Sequence, residues 1–183
     1  MRHQFQHEWC QKNIQTKTMK TTIKQLLLIT AVAGTLDILA AILVYAVIMD
    51  KTTAERILQS IAEGAFGKQA FAGGWEMAAA GLIFHYLIAF VFSCFYFLLF
   101  AQIHFLRKQA IVSGIFYGMV IWAVMNLLVL PLSKANVPAF NWVSVTRAAI
   151  ILIICVGIPI SILSKKFYEK QRQKKARDIA GLL

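Results

Sequence analysis

Residues 25–49 read QLLLITAVAGTLDILAAILVYAVIM. A run of this kind has the length that crosses a hydrocarbon core, which takes about 20 apolar residues. One charge interrupts it, Asp37, close to the middle. Even the mildest insertion scales put a carboxylate there at about 2.5–3.5 kcal/mol, so it takes a partner, a cavity or a proton. The stretch thus implies a membrane span, and it marks Asp37 as a working residue or a tightly paired structural one.

The rest of the chain agrees with a membrane protein. Its 183 residues are 59% hydrophobic, and the mean hydropathy is +0.66. That balance excludes an ordinary soluble domain. Four stretches are long enough to span, at 25–49, 77–105, 109–131 and 143–164. The expected fold is all-α, one four-helix transmembrane domain over 19–164 with a basic cytoplasmic tail at 165–183. Strand-period alternation is missing, which argues against a barrel. Residues 1–18, with His3, His7, Trp9 and Cys10, read as a polar arm, disordered or an extended start, because Met19-Lys20 resembles a natural beginning.

Lys and Arg set the orientation. Arg2, Lys12, Lys17, Lys20, Lys24, Arg107, Lys108 and the tail residues Lys165, Lys166, Lys170, Arg172, Lys174, Lys175 and Arg177 fall on one side. The other side holds Lys51, Arg56, Lys68 and Lys134, with Arg147 inside the last span. Both termini are therefore expected in the cytoplasm. The net charge of +11 is mainly this topology signal, so nucleic acid is not an expected partner. Membrane lipids are, with anionic lipids at the tail, where each basic residue adds about 1 kcal/mol of attraction. A signal peptide cut after Ala31-Val32-Ala33 is the competing reading of the first run. The run continues to Met49, and cleavage would strand half a span, so an uncleaved anchor is favoured.

Between spans one and two, Thr52 or Thr53 can cap a short helix. Ile57, Leu58, Ile61, Ala62, Ala65 and Phe66 share one face, and Arg56, Gln59, Ser60 and Glu63 the other. That pattern describes an amphipathic helix at the outer interface, a connector or a lid. Trp75 and Trp142 are placed to anchor spans two and four at headgroup level. Pro159 is expected to kink span four.

Polar residues fall in register with small ones. Ala33, Asp37 and Ala41 are spaced by four, beside Gly34. Gly81, His85, Ala89 and Ser93 repeat the step in span two, and Gly114, Gly118, Trp122 and Asn126 in span three. Four-residue steps stay near one helix face, and small residues mark contact faces between membrane helices. Gly34, Gly81, Gly114 and Gly118 are thus expected packing positions, the last two within the bundle or between protomers of a homo-oligomer. At 1.5 Å per residue Asp37 lies roughly 20 Å in from Asp50, His85 roughly 13 Å from Glu76, and Asn126 roughly 12 Å from Lys134. Arg147 lies nearer the outer surface. The inner half is nearly free of ionisable groups until His104.

Asp37, His85, Asn126 and Arg147 form the candidate site. Histidine changes charge between about pH 5 and 8, and paired with a buried carboxylate it suits a proton relay or proton-coupled solute binding. Each residue has a structural alternative: Asp37 paired to lock the helices, His85 donating to a carbonyl, Asn126 as interhelical glue, Arg147 reaching the interface. Cys94 and Cys155 read as small apolar fillers. There is no zinc spacing, HExxH, GxSxG or phosphate-binding glycine loop, so neither enzyme, metal nor cofactor is expected.

The strings Gly34-Thr35-Leu36-Asp37-Ile38-Leu39-Ala40-Ala41 and Met125-Asn126-Leu127-Leu128-Val129-Leu130-Pro131-Leu132-Ser133 carry a resemblance. So do Ile57-Leu58-Gln59-Ser60-Ile61-Ala62 and Gly67-Lys68-Gln69-Ala70-Phe71-Ala72-Gly73-Gly74. Over about residues 19–165 the chain resembles the YagU-like family of small bacterial inner-membrane proteins of unknown function. The resemblance implies a bacterial inner-membrane location and a four-span bundle. It brings no activity and no catalytic residue.

Overall fold

The computed structural model describes residues 2–136 and 141–180. Of these, the side chains at 2–20, 101, 175 and 178–180 lie outside the description, including His3, His7, Trp9, Cys10 and Lys175. Val137 and Pro138 of the outer loop also lie outside it.

Among the described residues, four helices are long and apolar enough to cross a membrane: Thr21–Ile48, Gly74–Phe100, Ala110–Leu132 and Trp142–Lys174. Span one is the end of α1, Arg2–Ala41, continued by a π-helical turn at Ile42–Ile48. A short helix α2 follows at Ala54–Phe66. Span two is α3, Gly74–Gln102. Ile103 is extended and breaks it from the short α4, His104–Lys108, so span two ends sooner than its hydropathy suggests. Span three comprises α5, Ala110–Val124, a π turn at Met125–Val129 and α6, Leu130–Leu132. Span four comprises α7, Trp142–Leu152, a π turn at Ile153–Gly157 and α8, Ile158–Ala180. The basic tail is thus not a separate segment. It prolongs span four as one helix.

Both intrahelical prolines follow π turns. Pro has no N–H and its ring crowds the carbonyl four residues back. Widening the preceding turn relieves that crowding. The residue before each proline donates five residues back instead of four: Leu130 to Met125 and Ile158 to Ile153. Pro159 therefore acts on span four through a π turn just before it.

The tightest crossing joins spans three and four. A Cβ on Gly118 would lie 2.6 Å from Ile153 Cα, and one on Gly114 2.8 Å from Ile158 Cα. A Cβ on Gly157 would overlap the Gly114 carbonyl oxygen. Backbones meet here because no side chain intervenes, the usual basis of contact between helices in lipid. Gly114 and Gly118 meet span four of their own chain, the within-bundle use of this pair. Around the crossing, Ile29, Ala33, Tyr96, Phe100, Tyr117, Ile121, Val156 and Ile160 form the buried core, drawn from all four spans. It lies toward the end bearing Arg107 and the tail, hereafter the basic end. The opposite end carries α2.

Helix α2 starts at Thr53, whose side chain accepts from the Arg56 N–H at 3.2 Å, and ends at Gly67 with φ +69°. It is clamped to its surroundings. Its backbone at Leu58–Ala62 lies on Gly81, where any Cβ would overlap the Leu58 carbonyl. The Lys134 N–H donates to the Gly64 carbonyl at 3.0 Å. The expectation that Gln59 and Glu63 face away from the protein is corrected: both are buried with Ala62. The reason is local. Gln59 donates to Glu55 Oε1 and the Gly74 carbonyl, each at 3.0 Å, and Glu63 accepts from the Asn136 N–H at 3.3 Å. Backbone groups freed by the flanking turns need partners, and these two side chains supply them.

Candidate functional site

Spans one and two meet at Gly34. A Cβ there would lie 2.9 Å from the Tyr86 ring and 3.5 Å from the Ala89 Cβ. This close approach lets two polar side chains of span two reach across. His85 Nε2 donates to the Gly34 carbonyl at 2.8 Å, and the Tyr86 hydroxyl bonds Thr35 Oγ1 at 2.8 Å. The first bond takes a carbonyl whose helical partner would be Ile38. It also fixes the imidazole: with Nε2–H directed at Gly34, Nδ1 is left for another group.

Asp37 lies one turn along span one from Gly34. His85, held on the Gly34 carbonyl, places an imidazole of span two about one helical turn from Asp37. Cys155 of span four is also within electrostatic range of Asp37. No hydrogen bond to the carboxylate is found among the described residues. Asp37 and Cys155 are half-buried. Three spans thus contribute to its surroundings: one carries the carboxylate, one an oriented imidazole and one a thiol. Cys155 was read as filler, and only the folded geometry brings it to Asp37.

The other two expected site residues have partners elsewhere. The Arg147 guanidinium stands over the Tyr45 ring, 5.8 Å from its centroid. Tyr45 is eight residues from Asp37, roughly 12 Å along the helix. Asn126 donates Nδ2 to the Trp122 carbonyl of its own helix at 2.9 Å. It therefore ties down a carbonyl beside the π turn of span three, in place of the interhelical contact expected of it. The four candidates divide into one pair and two residues with local partners.

Comparison with known protein families, with curated proteins and with solved structures finds no match for this chain.

A second polar cluster went unread in the sequence. Near the basic end, Tyr96 Oη donates to Ser161 Oγ at 2.7 Å and bonds Ser113 Oγ at 2.8 Å, and the two serines lie 3.0 Å apart. Both serines donate to the Ala110 carbonyl. Tyr117 donates to the Phe92 carbonyl, and its ring centroid is 4.7 Å from that of Tyr96. All four residues are buried. The inner half, expected to be almost free of ionisable groups, thus holds two buried phenols. Single Ser and Tyr residues in apolar helices give no periodic signal. Beyond this layer Arg107 donates to the Tyr168 hydroxyl at 2.9 Å, and Gln171 donates to Gln25 Oε1 at 2.6 Å.

Among the described residues no group of His, Cys, Asp and Glu is arranged to hold a metal ion. Trp75 and Trp142 are largely exposed, at 70% and 74%. An exposed indole at a span end suits the headgroup region.

Proposed function

We propose that this chain is a multi-pass membrane protein that binds and passes protons, alone or with a small solute, at Asp37 and His85. The observation that carries the reading is the pairing itself. A carboxylate placed within a span lies about one helical turn from an imidazole whose orientation is fixed by the Gly34 carbonyl. An intramembrane ionisable pair is expensive to keep, and function is the usual reason for keeping one. A carboxylate with no hydrogen bond among the described residues stays available to a proton or a ligand.

In this reading both termini are cytoplasmic, the membrane is the bacterial inner membrane of the YagU-like resemblance, and the site opens toward the α2 end. Helix α2 lies at the outer interface, its Ile57–Ile61 side toward lipid and its Arg56–Ser60 side toward water. Arg147 and Asn126 stand outside the pair and serve the entrance. Lys165, Lys166 and Lys170 meet anionic headgroups. The test is flux in liposomes containing the purified chain. Asp37→Ala should abolish a pH-dependent flux of protons or solute, and a flux that survives the substitution would sink the reading.

A second reading has its own observation. The His85–Gly34 and Tyr86–Thr35 bonds join spans one and two as interhelical clamps. A structural or assembly protein would need them for helix pairing alone, with lipids and further copies of the chain as partners. Cross-linking in native membranes that captures a stable oligomer, with Asp37→Ala assembling poorly, would favour this second reading.

A further inference from the structure

Among the described residues, three buried hydroxyls of the half toward the basic end have no hydrogen-bond partner: Thr30 Oγ1, Ser93 Oγ and Ser164 Oγ. Thr30 is 5% exposed and both serines 0%. A buried hydroxyl without a partner costs about 1–3 kcal/mol. Ser and Thr in helices commonly avoid this by donating to a carbonyl of the preceding turn, which these three do not. An alanine would fill the same space without the cost. Interior sites with open donor and acceptor capacity are where ordered water binds.

Their placement is not scattered. Gly34 meets Ala89 between spans one and two. One helical turn further along these antiparallel helices, Thr30 and Ser93 fall at the same level. Ser93 and Tyr96 lie three residues apart on one face of span two, and Ser161 and Ser164 share a face of span four in the same way. The bonded triangle of Tyr96, Ser113 and Ser161 sits between the two unpartnered levels. The order is therefore Asp37 and His85, then Thr30 and Ser93, then the triangle, then Ser164 beside Lys165. The axial steps are roughly 10 Å from Asp37 to Thr30 and roughly 4.5 Å each from Ser93 to Tyr96 and from Ser161 to Ser164.

We propose that this column of buried hydroxyls is the route by which protons pass between the Asp37–His85 pair and the basic-end face of the membrane; the proposal rests on the functional reading of that pair. A hydroxyl suits the task because it accepts and donates at one atom. Each oxygen takes an incoming proton on a lone pair and releases its own proton to the next oxygen. Rotation about the C–O bond then restores the starting arrangement. One proton moves, no heavy-atom bond changes, and no co-reactant is used. Water on the unpartnered hydroxyls fills the wider steps, above all the one between Asp37 and Thr30. The titratable groups around Asp37 are His85 on span two and Cys155 on span four. Those around the triangle are Tyr117 and, beside it, Cys94.

The test uses the full chain in liposomes with an internal pH dye and a potassium diffusion potential set by valinomycin. Ser93→Ala removes no hydrogen bond present in the fold, so it should fold normally. It should slow proton entry about tenfold or more, equivalent to about 1.4 kcal/mol on the barrier. Ser93→Thr, which keeps the hydroxyl, should restore the rate. Tyr96→Phe should slow it similarly, and Asp37→Asn should stop it. Proton entry that stops in Asp37→Asn but is unchanged in Ser93→Ala and Tyr96→Phe overturns the column and leaves the pair. Entry that survives Asp37→Asn but falls in Ser93→Ala overturns the pair and supports the column as a conductor. A wild-type chain that passes no protons at either polarity overturns both.

Discussion

The two halves of this bundle handle buried polarity in opposite ways. Toward the basic end, the polar groups of the triangle are neutral hydroxyls linked to one another and to a backbone carbonyl inside an aromatic core. Toward α2, the groups are ionisable and dispersed: Asp37 and His85 attract through space, and Arg147 rests on an aromatic face. Neutral hydroxyls close a network without burying charge, so a packed core tolerates them. A lone carboxylate needs compensation from outside its own side chain. A bonded network stabilises the fold even where, as proposed for the triangle, it also passes protons; polarity left open, at Asp37 in one half and at Thr30, Ser93 and Ser164 in the other, is the better mark of a site.

Breaking the packing shared by both halves should have the largest effect. Gly157→Val places a branched side chain against the backbone of Gly114 and Gly118. Overfilling a packed interior usually costs about 1–3 kcal/mol, and a rigid backbone in the way puts this change at or above the top of that range. The expected result is loss of the monodisperse peak in detergent chromatography. A Gly157→Val protein that melts like wild type would mean that spans three and four do not cross here. Gly81→Val should act more narrowly by lifting α2 off span two. Increased protease access to α2 with an intact bundle would show it.

The next test compares the same chemistry in the two halves. Tyr96→Phe removes one of the two partners that Ser113 and Ser161 share, leaving them the Ala110 carbonyl, and does so in a buried setting. It should lower stability by about 1–2 kcal/mol. Tyr86→Phe removes an exposed bond to Thr35, whose hydroxyl can turn instead to a carbonyl of the preceding helical turn. Its cost should stay below about 0.5 kcal/mol. Both are read as thermal melting in one detergent. Equal losses would erase the distinction drawn between the halves.

Much of this architecture was legible in the sequence, for identifiable reasons. Hydropathy gave the four spans because hydrocarbon length is fixed. The four-residue steps brought Gly34, His85 and Asp37 together because small residues and helix contacts obey one period. Gly114 and Gly118 were visible as packing positions, but their partner, Gly157, is a single glycine without a motif. What stayed hidden depends on interhelical register. Ser113 and Ser161 look like ordinary residues of apolar helices until span three meets span four. Gln59 and Glu63 look solvent-facing until the Asn136 N–H and the Gly74 carbonyl arrive from distant parts of the chain.

The smallest expected loss of stability is the most informative. Asp37→Asn keeps the shape of the side chain and removes its charge. If the carboxylate were part of the bonding that holds the bundle, as the Tyr96 hydroxyl is, the substitution would lower the melting temperature by several degrees, because about 1 kcal/mol moves a chain of this size by about 2–4 °C. The structure gives it no hydrogen bond to lose among the described residues, only the attraction of His85. Relief of the cost of holding a charge within a span offsets that attraction. The melting temperature of Asp37→Asn should therefore equal or exceed that of wild type across about pH 5–8, the range in which a histidine changes charge. A residue whose removal leaves the fold as stable or more so is retained for something other than the fold. A clear drop would instead move Asp37 into the class of Tyr96, and the contrast between the two halves would then be one of chemistry alone.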